Sequence, residues 1–148
     1  MDSISKSRKS SPINIFLVLS LTASHASHPV QLIFPAKEDS NASWTAAELQ
    51  LEIAVKPLYR SKEASTHLIR LKGKEKPHFH DHHDLSVSVL SGKSVIHFKD
   101  REVTMMPGDV VFIPQGILHW AENIDPSASV VFAVFSPAFS GKDNRSAE

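Results

Sequence analysis

From Leu85 to Phe135 the chain is cut into short apolar segments by turn residues at close, regular intervals. Leu85, Val87 and Val89 alternate with serines before Ser91-Gly92. Val95 to Phe98 follows, a charged hairpin at Lys99-Asp100-Arg101 reverses the chain, and Glu102 to Met105 returns. Pro107-Gly108-Asp109 leads into Val110 to Ile113, and Pro114-Gln115-Gly116 into Ile117 to Ala121. Pro126 breaks the chain before a last apolar run, Ser129 to Phe135. Alternation at period two turns one face of each segment inward. Many short strands with Gly and Pro turns predict an all-β sandwich or barrel.

Upstream, Ser65 to Leu71 alternates in the same way and reads as a strand. Lys72-Gly73-Lys74-Glu75-Lys76 reads as a charged, solvated turn. Thr45-Ala46-Ala47-Glu48 has the form of a capping box, with Thr45 as N-cap and Glu48 reaching back. Leu49, Leu51, Ile53 and Val55 carry strand period, so the segment reads as a helical turn running into a strand that Pro57 ends.

The sequence has 148 residues, room for one domain rather than two. A hydrophobic fraction of 41% supplies an ordinary core. A net charge of +0 without a basic patch argues against nucleic acid as a main partner. Cysteine is absent, which removes disulfides, thiol nucleophiles and thiolate ligands. Any bound metal would use imidazole, carboxylate or water, a donor set that suits first-row transition metals.

Four of the nine histidines fall between residues 78 and 83, in Pro77-His78-Phe79-His80-Asp81-His82-His83-Asp84. His78 and His80 are two apart, so on a strand both point to one face. A third imidazole from a distant strand can converge on them, and His119 stands in such a segment. Gly108 and Gly116 permit the turns on either side of Pro114.

These residues resemble the cupin family. The second cupin motif is Gly-x5-Pro-x-Gly-x2-His-x3-Asn, and Gly108, Pro114, Gly116, His119 and Asn123 match every position. The first motif is matched at Gly73, His78, His80 and Gly92. The resemblance runs from about residue 60 to 138 of the sequence. It implies a single double-stranded β-helix, or jelly-roll, barrel with an N-terminal extended arm. It also implies His78, His80 and His119 as ligands of a divalent transition metal: Fe, Mn, Ni, Cu or Zn. The family glutamate is missing. Counting back from Gly92 its position falls on Leu85, and counting forward from His80 with the shorter gap it falls on Asp84. Two arrangements stay open: Asp84 as a fourth ligand, or Leu85 facing inward beside three histidines.

Other residues read as structural. His82 and His83 belong to a loop, and His67 and His97 to strands without a catalytic part. Phe79 and Trp120 point away from the site by strand parity. Asn123 fixes a turn, Asp109 caps one, and only one of Met105 and Met106 faces the core.

The N-terminus carries Lys6, Arg8 and Lys9, an apolar run from Ile13 to Ala23, and small residues at Ser24 and Ala26. That is the form of a signal peptide over residues 1–26, removed on export to the periplasm or beyond the cell. No stable membrane insertion is expected after cleavage. Residues 27–56 are assigned to an arm, 57–138 to the barrel and 139–148 to a C-terminal tail. Cupins often dimerise by exchanging N-terminal strands, which the resemblance makes the arm's expected use. The expected function is an exported metal-binding barrel holding a small-molecule ligand. The alternatives are a metal-dependent oxygenase or isomerase acting on a small polar or aromatic compound, and a metal-free structural or ligand-binding barrel.

Overall fold

The computed structural model describes residues 30–33, 40–41 and 43–147. The expected leader over residues 1–26 and much of the arm lie outside the described residues. Strands β1 (Gln31–Leu32) and β2 (Ser40–Asn41) pair as a small ribbon. Helix α1 (Ala46–Gln50) is one short turn, closed by the expected capping box. Glu48 N–H donates to Thr45 Oγ1 at 3.2 Å, and Thr45 N–H donates to Glu48 Oε2 at 2.7 Å.

Two five-stranded antiparallel sheets follow. The first runs in the spatial order β3 (Ile53–Arg60), β4 (Ser65–Leu71), β11 (Ser129–Ser136), β6 (Asp84–Ser91), β9 (Val110–Ile113). The second runs β12 (Arg145–Ser146), β5 (His78–Phe79), β10 (His119–Asn123), β7 (Ser94–Phe98), β8 (Glu102–Met105). Many neighbours in space are far apart in sequence, as a jelly roll requires. β3 begins at Ile53, so residues 53–56 of the stretch assigned to the arm are hydrogen-bonded into the first sheet.

The inward residues are those that the alternation predicts. Leu85 and Val89 from β6, Ile96 from β7, Met105 from β8, Ile113 from β9, and Ala133 and Phe135 from β11 form one buried cluster. Burying a large aliphatic or aromatic side chain stabilises by roughly 1.5–3 kcal/mol. The chain beside Met105 is exposed at Met106, so one methionine of the pair enters the core.

Two local features depart from the sequence reading. Pro57 does not end its strand; β3 passes through it to Arg60 with an irregularity between Pro57 and Tyr59. β3 is the edge of its sheet, where a missing N–H costs no ladder bond. The strands β5 and β12 are too short to leave a periodic signature. Gly92 meets its expectation: its φ is +78°, and a Cβ there would sit 2.7 Å from Ser129 Cα. A side chain would be strained in both ways.

Candidate metal centre

β5 carries His78, the chain just beyond it carries His80, and His119 opens β10. His119 and His78 are direct cross-strand partners. Gly116 N–H donates to the His80 carbonyl at 2.7 Å, which ties the second motif to the first. All three histidines are buried. One ring nitrogen from each lies within 4.8 Å of the others. The ring centroids are 4.5 Å apart for His78 and His119, 4.9 Å for His78 and His80, and 5.3 Å for His80 and His119.

The second nitrogen of each ring is already engaged. His78 Nδ1 donates to Lys76 O at 2.8 Å, and His119 Nδ1 donates to Ile117 O at 2.9 Å. His80 Nδ1 donates to the Asp143 carbonyl. A carbonyl can only accept, so each Nδ1 carries a proton. No Nε2 of the three has a hydrogen-bond partner among the described residues. Metal-binding histidines are oriented in this way, with one nitrogen on a carbonyl and the other on the ion.

Burial sets the charge state of His119 and His80. It lowers the His119 pKa to about 4, with the Ile117 carbonyl opposing and the neighbouring imidazoles of His78 and His80 adding to the fall. Burial also lowers His80, against the pull of the Asp143 carbonyl. Both rings are held neutral near pH 7, the form that ligates a cation.

Asp84 does not converge on the three histidines. Its Oδ1 accepts Gln115 N–H at 3.0 Å. The register puts it beside Ser136 on β11, with no bulge to turn it. Leu85 holds the inward position, buried and lining the cavity next to the triad. Regular alternation through β6 decides between the two arrangements.

Three residues at the site were not expected from the sequence. His83 lies in the expected loop but is buried there, and its Nδ1 pairs with Asp143 Oδ2. Asp143, in the tail, also accepts Asp81 N–H at 3.0 Å and His82 N–H at 2.9 Å. Burial pushes its carboxyl up, but these hydrogen bonds outweigh burial and hold it below the ordinary carboxylate range. Next to it, Arg145 makes a bidentate pair with Asp81, 2.6 and 2.9 Å, and lies 4.1 Å over the Phe79 ring. Glu75 is the third: the turn read as solvated points this side chain into the barrel.

The triad closes one side of a cavity of about 90 Å³. Its wall is aliphatic apart from Phe135, the triad, Glu75 and Ser94. Phe135 and Phe139 stand edge-on to His80 at 5.3 and 5.8 Å. Other side chains stand where strand parity and turn chemistry put them. His97 stacks on Trp120 at 4.8 Å, away from the cavity lining. Asn123 Nδ2 donates to the carbonyls of Lys72, Asp125 and Ser127. Asp109 Oδ2 accepts Met106 N–H at 2.8 Å.

Comparison with known proteins agrees with this architecture. The family profile described as a cupin domain matches residues 67–135. An uncharacterized protein of Aquifex aeolicus (strain VF5) is 38% identical over 93 residues, 63% of this chain and 76% of that protein. The structure of KdgF from Halomonas sp. superposes with a TM-score of 0.60 at 22% identity, over 68% of this chain and 92% of that one. TT1209 from Thermus thermophilus gives 0.57 at 25% identity, over 66% and 91%. The barrel and the family profile over residues 67–135 together establish that this chain carries a small cupin-type domain.

Proposed function

We propose that this protein binds one divalent transition metal through His78, His80 and His119, with a small molecule entering the cavity beside it. The observation that carries this reading is the shared orientation of the three rings. Each gives Nδ1–H to a carbonyl, and each leaves Nε2 unengaged toward its two neighbours. Imidazole nitrogens alone suit Fe, Mn, Ni, Cu or Zn. Such a cation would supply Lewis-acid polarisation and open coordination positions.

A metal-dependent oxygenase or isomerase is the second reading. It is favoured by Leu85, because three neutral ligands without a carboxylate leave more than one position open to a substrate. Export and self-association complete the proposal. The basic start and short apolar run support a leader over residues 1–26. No helix among the described residues is long and apolar enough to cross a membrane. A homodimer is supported by the outer face of the first sheet, where Tyr59, Val110 and Phe112 are each more than half exposed.

Native mass spectrometry of the exported protein tests the metal, the cleavage and the dimer in one spectrum. The expected species is a dimer whose protomers lack residues 1–26 and hold one metal each, with the metal lost in His119→Ala. Metal retained at full stoichiometry in that variant would exclude the site. A retained Met1 would exclude cleavage, and a monomer at micromolar concentration would exclude the dimer.

A further inference from the structure

Beyond the triad, the cavity wall offers two polar side chains, Glu75 and Ser94. Ser94 Oγ is committed to Ser129 Oγ at 2.6 Å. Glu75 is not fully committed. Its Oε2 accepts Ala121 N–H at 2.8 Å, while Oε1 has no hydrogen-bond partner among the described residues. The backbone is clamped as well, since Glu75 N–H donates to Ala121 O at 2.8 Å. Ala121 lies two residues after His119 on β10, so the carboxylate is fixed one inward step along the strand from a triad ring. In the same turn Lys72, Lys74 and Lys76 are exposed, and only Glu75 lines the cavity. A carboxylate placed against aliphatic side chains costs free energy unless its oxygens are satisfied.

Glu75 and His78 also line a second, open groove of about 290 Å³, whose other walls are Ile53, Lys76, Pro77, Asn144 and Ser146. The two residues therefore stand between the inner cavity and the surface. The inner cavity is smaller than the roughly 150 Å³ pocket that takes a benzene ring. It has room for one small apolar end of a ligand, with the polar part at the partition.

From this placement we propose that Glu75 is the ligand-selecting residue of the barrel, its Oε1 accepting a hydrogen bond from a hydroxyl or amino group. The ligand class is a small molecule with an apolar end, a metal-binding oxygen and an adjacent hydrogen-bond donor. The inference rests on the metal reading above, and its test separates the two. The full chain is loaded with Co²⁺, uptake is measured, and the visible cobalt spectrum is titrated at pH 8 with hydroxyacetone and with methoxyacetone. The probes differ by methylation of the donor. Wild type is expected to bind hydroxyacetone at least about tenfold more tightly, the scale of a hydrogen bond to a charged acceptor. In Glu75→Gln the amide oxygen keeps the Ala121 N–H and the NH₂ group faces the ligand, so the preference is expected to vanish or reverse. Equal affinities in wild type, no binding of either probe, or an unchanged preference in Glu75→Gln would overturn the assignment. Should the variant fail to take up cobalt, the wild-type ratio alone decides. Wild type that takes up no cobalt would refute the metal reading and this inference with it; cobalt-loaded protein without a preference would refute only the role of Glu75.

Discussion

His119 is a base whose basicity the fold removes. Its pKa falls from an ordinary 6.5 to about 4, first because the ring is buried. Between those values the unfolded chain binds a proton that the folded chain refuses. The stability linked to His119 is therefore complete above pH 6.5 and is lost as pH falls towards 4. The full difference is on the order of 3 kcal/mol. Burial lowers His80 and His67 as well, with the same sign. Glu75 has the opposite sign: burial raises its pKa, so its folded form gains a proton on acidification and offsets part of the loss. The metal-free Glu75→Gln variant, which lacks that offset, should show a lower urea midpoint at pH 5 than at pH 7. Its drop should exceed that of metal-free wild type. A midpoint in the variant that is unchanged or higher at pH 5 would contradict the buried, neutral state of His119 and His80.

At the scale of elements, the tail is the part whose role is least visible along the chain. β12 adds an edge strand beside β5, pairing Arg145 with Phe79 and Ser146 with His78. Just before it, Asp143 gathers Asp81 N–H, His82 N–H and the His83 ring, and its carbonyl holds the His80 ring from 63 residues away. Asp143→Ala keeps that carbonyl but removes the carboxylate that anchors the segment carrying it, so metal affinity should fall by about tenfold, the low end of the effect of disturbing a group that orients a ligand. It should also cost about 1–3 kcal/mol of stability, because buried donors lose their acceptor. Metal titration and urea unfolding of the same preparation measure the two effects. Wild-type affinity in a folded Asp143→Ala protein would show that the tail does not position the site. The strands from Leu85 to Phe135 were legible in the sequence because alternation and turn residues act locally, and β6 to β11 begin and end close to where that pattern puts them. The same alternation decided for Leu85 over Asp84. Asp143 and Glu75 were not legible. One lies in a polar tail and the other in a lysine-rich turn, and what turns each inward is pairing with a distant strand.

On the whole molecule, the jelly roll brings two short motifs to one end of a barrel and leaves an apolar cavity behind them. The second motif works through its turns. Gly116 has φ of +75° and binds the His80 carbonyl, and Asn123 fastens the loop after β10. These contacts make the triad a property of the fold rather than of one loop. Its central feature is that three imidazoles present Nε2 to a common point, each giving Nδ1–H to a carbonyl. Long-range ¹⁵N–¹H NMR of the imidazoles, recorded before and after one equivalent of Zn²⁺, observes this directly. The account predicts Nδ1–H tautomers for His78, His80 and His119, and a joint shift of their three Nε2 resonances that is complete at one equivalent. An Nε2–H tautomer at any of the three, or a zinc-dependent shift confined to other histidines, would contradict it.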